Sequence, residues 1–197
     1  MVDTIHFKEI TSHVFRQLAA KLKPVYTYHS LSHTTMVMRD ATFIATSLNL
    51  NEDDLQLLQT AVCLHDFGFV QSHENHEERG CKEARRVLPE FSFTEREIDK
   101  VCGMIMATKI PQSPKTFMEQ IICDADLFYL GTPYYFQIAA LFKKELTGLG
   151  ILTSEKQWTD IQVKFLENHN YHTPFVKQLL EETKQNNLAI IKSSNYA

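Results

Sequence analysis

Glycine and proline are scarce in this chain, six of each in 197 residues, and they fall mostly at joints between periodic segments. No stretch sustains the period-two alternation of a half-buried strand, which leaves little room for β structure. The four cysteines (Cys63, Cys81, Cys102, Cys123) lie about 20 residues apart and never in CxxC spacing. A zinc ribbon or a disulfide framework is therefore not expected, and reduced thiols in a core are. No apolar run approaches the roughly 18 residues of a membrane span. The stretch Met1–His6 has no basic region or apolar segment of a signal peptide. The expected setting is a reducing cytoplasm, with no membrane partner. Charge is balanced at 20 basic against 24 acidic residues, net −4, which gives no electrostatic case for nucleic acid as a partner. The one basic cluster, Lys82 with Arg85 and Arg86, reads as a solvated helix face.

What is present is helical pattern. At 197 residues and 44% hydrophobic content the chain can bury a real core in one unit. Apolar positions such as Met36, Val37, Ala41, Ile44, Ala45 and Leu48 recur at three- and four-residue spacing. The pattern predicts helices over about 7–21, 33–48, 54–66, 77–88, 95–107, 116–129, 133–147, 155–167 and 174–190. Asn49–Asp54 offers caps for the third, and Thr94-Glu95-Arg96-Glu97 resembles a capping box. Gly68 is expected where the third helix stops. The fold class is all-α, a single-domain helical bundle over 1–197.

Three polar intrusions break this pattern. His65-Asp66 closes the apolar run that begins at Leu57, and such a pair is costly there without a partner. Tyr28-His29-Ser30-Leu31-Ser32-His33 lies upstream, and Cys123-Asp124-Ala125-Asp126-Leu127 interrupts a downstream hydrophobic segment. A divalent cation would serve as common partner. Imidazole nitrogen with carboxylate oxygen suits Mn, Fe, Co or Zn, with Mg admissible, and leaves coordination positions for water. Neighbours on a helix point about 100° apart, so His65 and Asp66 can share one ion only from a helix end or a distorted turn.

The ordered set His33, His65-Asp66, Asp126 resembles the H…HD…D signature of the HD superfamily of metal-dependent phosphohydrolases. Further blocks extend the likeness over about residues 25–130: His65-Asp66-Phe67-Gly68-Phe69, then His76-Glu77 with Gly80 and Ala84, then Ile98, Val101 and Ile105. Residues 131–197 carry no pattern of use. The resemblance implies an all-helical fold and a metal held by His33, His65, Asp66 and Asp126. Asp124 competes for the last place or assists a ligand or a water, which makes Asp66 and Asp124 candidates in catalysis as well. Tyr28-His29-(x3)-His33 is also similar to the first block of cyclic-nucleotide phosphodiesterases, which makes His29 a candidate general acid. The later phosphodiesterase pattern is missing.

Thr108 stands where dinuclear members of the family place a histidine, so one metal ion is expected. His73, His76 and Lys109 are candidate substrate contacts. The function implied is hydrolysis of a phosphate ester or anhydride, in a nucleotide or other small molecule, by metal-activated water. The alternative is a non-catalytic, nucleotide-sensing module of the same fold. A dinuclear iron oxygenase would need more histidines than the middle blocks supply. Exposed helix faces leave a homo-oligomer open.

Overall fold

The structure is a computed structural model and describes residues 4–194, with side chains from 7 to 193. Part of the N-terminal stretch read for a signal peptide, and the side chain of His6, lie outside the described residues. Among those described there are nine α-helices, three short 3-10 turns and no strand. In chain order the helices are α1 (Thr4–Lys21), α2 (Leu31–Ser47), α3 (Glu52–Leu64), α4 (His76–Val87), α5 (Glu95–Ala107), α6 (Phe117–Asp126), α7 (Tyr135–Gly148), α8 (Glu155–Asn168) and α9 (Pro174–Ser194). The 3-10 turns cover Phe67–Val70, Leu88–Phe91 and Phe128–Gly131.

Helix starts follow the expected chemistry. Asn51 accepts from the Asp54 amide, and full capping boxes open α5 (Thr94 with Glu97) and α6 (Thr116 with Glu119). Stops are less regular. Gly68 is not a left-handed helix cap, because Gly150 is the one glycine with positive φ among the described residues. Gly68 matters through close approach instead. A Cβ there would lie 2.1 Å from the His76 carbonyl oxygen, so only glycine lets the turn after α3 pass under the start of α4.

Two clusters of buried apolar side chains form. The larger joins α1 to α6 around Ile44, Leu58, Leu64, Ile105 and Ile121, with Val176 and Leu180 of α9 closing it. The smaller gathers Leu130, Tyr135, Trp158, Leu166 and Leu188 from the third turn, α7, α8 and α9. Each fully buried leucine or isoleucine stabilises by roughly 1.5–3 kcal/mol, and it is within this apolar frame that the polar intrusions are set. All four cysteines are free thiols. No helix of the described residues is long and apolar enough to cross a membrane.

Candidate metal centre

Three helix ends meet at the polar intrusions. His33 lies in the first turn of α2, whose N-cap Ser30 accepts from the His33 amide. Helix α3 ends at Leu64, so His65 and Asp66 sit on the departing turn, where two neighbours can face one point. Asp126 is the last residue of α6. The C-terminal ends of α3 and α6 carry partial negative charge, which favours a cation between them.

The structure brings the four side chains together. Asp66 Oδ2 lies 3.3 Å from both His33 Nε2 and His65 Nε2. Asp126 Oδ1 is 3.1 Å from His33 Nε2 and 3.6 Å from His65 Nε2. The two imidazole nitrogens are 3.4 Å apart. His33, His65 and Asp66 are buried, and Asp126 stands partly open at the mouth.

This donor set fits a metal ion. His65 Nδ1 donates to the Val62 carbonyl at 2.8 Å, which turns Nε2 inward and fixes the ring, as expected of a metal-ligating histidine. Asp66 Oδ2 is buried with no hydrogen-bond partner although nitrogens surround it. Such an orphaned oxygen is costly unless a cation sits beside it. The electrostatics agree. Burial alone would raise the Asp66 and Asp126 carboxyls, but the histidines beside them hold both well below the usual carboxylate range. Burial would lower His65, yet the charges of Asp66 and Asp126 push it well above its ordinary value.

A second group flanks the four. His29 stacks on Phe69 with ring centroids 4.1 Å apart, and Phe69 packs against His76 at 4.3 Å. The buried Glu145 of α7 accepts from the Tyr28 amide (2.8 Å), the His29 amide (3.0 Å) and His29 Nδ1 (2.5 Å). That leaves Nε2 as the His29 nitrogen available to the cleft. Burial pulls His29 down, but the Glu145 hydrogen bond and the Asp66 and Asp126 charges outweigh it and hold its pKa above the ordinary value. His76 donates Nδ1 to the His73 carbonyl, and its Nε2 lies 3.2 Å from Glu77 Oε1 and 3.6 Å from Asp66 Oδ1.

Other expected residues fall elsewhere. Asp124 is two positions from Asp126, about 200° around the helix, and faces away from the centre. Its carboxylate accepts from the His172 amide (2.7 Å), the Thr173 amide (2.8 Å) and the Thr173 hydroxyl (2.6 Å). A catalytic or ligand role for Asp124 does not fit this geometry, because its oxygens tie α6 to the start of α9. Lys109 directs its amine to Glu78 and does not line the cleft. His73 is exposed and acts through its carbonyl. Thr108 lines the cleft and donates its hydroxyl to the Ile105 carbonyl. The sequence reading missed Glu77 and Glu145. Glu77 had a signal, since it directly follows His76 in a block already matched; Glu145 had none.

The centre opens into a cleft of about 800 Å³, its mouth included, bounded by His29, Asp66, His76, Glu77 and Asp126 at one end and by α7 and α8 at the other. The family model for the HD domain matches residues 30–129, half of the chain, and its span contains all four converging side chains. The chain belongs to the HD domain family. Its fold is shared by solved structures over its whole length. One is the Bacillus subtilis protein YpgQ, solved in complex with ADP, 17% identical with TM-score 0.69, covering 100% of this chain and 96% of that one. Another is a Lactobacillus plantarum protein, 16% identical with TM-score 0.73, covering 100% and 98%. A predicted HD superfamily hydrolase from an uncultured Thermotogales bacterium is 25% identical with TM-score 0.55, covering 82% and 90%. No curated protein matches. HD domain membership implies a divalent metal, and His33, His65 and Asp66 present ligand atoms within 4.8 Å of one another for one.

Proposed function

We propose that this HD domain is a cytoplasmic metal-dependent phosphohydrolase that cleaves a phosphate ester or anhydride of a nucleotide or other small molecule. The observation that carries the reading is the convergence of His33, His65, Asp66 and Asp126, of which Asp66 and Asp126 line one end of an open cleft. These four would hold one ion of Mn, Fe, Zn, Co or Mg. When bound, such an ion acidifies a coordinated water and polarises a phosphoryl oxygen.

The chain's own groups supply the rest. His29, oriented through Nδ1 by Glu145, presents Nε2 to donate a proton to the leaving oxygen. His76 and Glu77 face the same space from α4, where they can position a water or accept its proton. The wall from α7 and α8 keeps solvent from the body of the substrate. Because the family-matched segment and the C-terminal helices share this one cleft, we take the chain to act as a single unit. A nucleotide substrate draws support from YpgQ, a relative in fold that was solved with ADP.

The test is hydrolysis of mono-, di-, tri- and cyclic nucleotides and generic phosphate esters, read by separating substrate from product, each with Mn²⁺, Mg²⁺, Co²⁺ and Zn²⁺. Turnover that requires metal supports the reading. Tight nucleotide binding with no turnover under any metal would replace it with the sensing module.

A further inference from the structure

Two properties of the cleft restrict what it can receive, and neither is the convergence of the four side chains itself. The first is charge. Three carboxylates line it (Asp66, Glu77 and Asp126), and among the described lining residues there is no lysine or arginine. Lys109, which follows the lining residue Thr108, directs its amine to Glu78 instead of the cleft. Helices α3 and α6 bring their negative ends to the centre, against the positive end of α2, whose first turn is taken up by the Ser30 cap and by His33 at the ion site. Helix α4 brings a positive end, but Glu77 and Glu78 in its first turn already complement it. Sites for phosphate chains rely on lysine, arginine or free helix N-termini. A phosphate monoester carries a charge of about −2 at neutral pH, and each further phosphoryl group adds about one more negative charge. One divalent ion, with the imidazoles of His29 and His76 set against three carboxylates, can accommodate the first charge load far better than a longer chain.

The second property is the far wall. Tyr135 and Phe142 of α7, with Trp158, Ile161 and Phe165 of α8, place aromatic and aliphatic surface along one side of the cleft. Their spacings, seven residues on α7 and three, four and seven on α8, put each set on one helix face. Gln162 interrupts this surface. Its Oε1 accepts from the Tyr135 hydroxyl at 3.1 Å, which leaves the amide NH₂ as a donor held in place beside aromatic rings. A flat ring bearing a hydrogen-bond acceptor is what such a wall would hold.

We infer that the cleft selects a phosphate monoester on an aromatic, acceptor-bearing body, of which a nucleoside monophosphate is the model, over di- and triphosphates, with Gln162 reading the ring. The inference rests on the cleft being the substrate site of the proposed hydrolase, and its test separates the two. Equilibrium binding and steady-state turnover are measured on the full chain loaded with Mn²⁺. The probes are one nucleoside's mono-, di- and triphosphate, together with ribose 5-phosphate, which lacks the ring.

The monophosphate should bind at least tenfold more tightly than the triphosphate and more tightly than ribose 5-phosphate by a similar factor. Gln162→Leu should lose about tenfold in affinity for the monophosphate, on the scale of one lost hydrogen bond at a built site, and compress its margin over ribose 5-phosphate. If turnover is absent but these binding ratios hold, the hydrolase reading fails and the selectivity stands. Equal or tighter triphosphate binding, or indifference to the ring or to Gln162→Leu, overturns the inference and leaves the hydrolase reading in place.

Discussion

At His65 the two ring nitrogens have different duties. Nδ1 holds the ring through the Val62 carbonyl, and Nε2 faces Asp66 and Asp126. Removing the ring in His65→Ala, or the carboxylate in Asp66→Ala, should strip the centre of bound metal and reduce phosphate release to background. Elemental analysis of the purified variants checks the first, and a variant that keeps full metal and full activity sinks the assignment. Glu145 should behave differently, because it touches no ligand and instead orients His29. Glu145→Gln should lower kcat roughly tenfold to hundredfold, the usual scale for losing a partner that orients a functional histidine, with metal content unchanged. Esters with poor leaving groups should suffer more than those with good ones, a split that a merely structural defect would not produce. The four converging side chains were legible because histidine and aspartate are conspicuous inside apolar helices. Glu145 was not, since Lys143-Lys144-Glu145 reads as a solvated face and becomes buried only where α7 meets the Tyr28–His29 turn.

Helices are placed here by their apolar faces and held in register by backbone approach. The periodicity of the sequence marked nine helices near their observed positions, because a three- and four-residue repeat over ten or more residues is a strong local signal. The 3-10 turns at Phe67–Val70, Leu88–Phe91 and Phe128–Gly131 left no such trace, being about one turn long. Yet the first of these carries Phe69 between His29 and His76. Gly80 shows how tightly the elements fit. A Cβ there would lie 2.6 Å from the Leu64 carbonyl oxygen, at the last residue of α3 and next to His65. Gly80→Ala must therefore push α4 away from the metal-bearing end of α3. The expected cost is about 1–3 kcal/mol, typical of overpacking against a rigid backbone, with weakened metal retention as well. Thermal denaturation with and without Mn²⁺ checks both, and a variant with unchanged midpoint and unchanged metal shift shows that α4 yields freely.

Over the whole molecule, the C-terminal helices complete what residues 30–129 begin, since the cleft, the Glu145 bond and the smaller core all depend on them. Little of this was legible, because its decisive contacts pair ordinary residues far apart in the sequence, as Glu145 does with His29 and Asp124 with Thr173. The joint between α8 and α9 also has its own pH response. Lys184 is buried; its amine donates to the His169 carbonyl at 2.7 Å, sits 3.5 Å from His169 Nδ1 and pairs with Glu181 at 3.0 Å. Burial, then the Lys184 charge and His172, push His169 down to about 3. In the unfolded chain it would titrate at about 6.5. Below that value the unfolded chain takes up a proton that the folded chain refuses, so His169 leaves stability unchanged above about pH 6.5 and erodes it as pH falls toward 3. The slope approaches at most about 1.4 kcal/mol per pH unit. His65, raised in the metal-free protein, contributes with the opposite sign, a stabilisation present below about pH 6.5 and lost as pH rises through its folded value. Comparing the protein with its His169→Gln variant isolates the first effect. The gap between their denaturation midpoints should shift in favour of the variant from pH 7.5 to pH 5, and a gap independent of pH would mean that His169 can take its proton without disturbing the Lys184 joint.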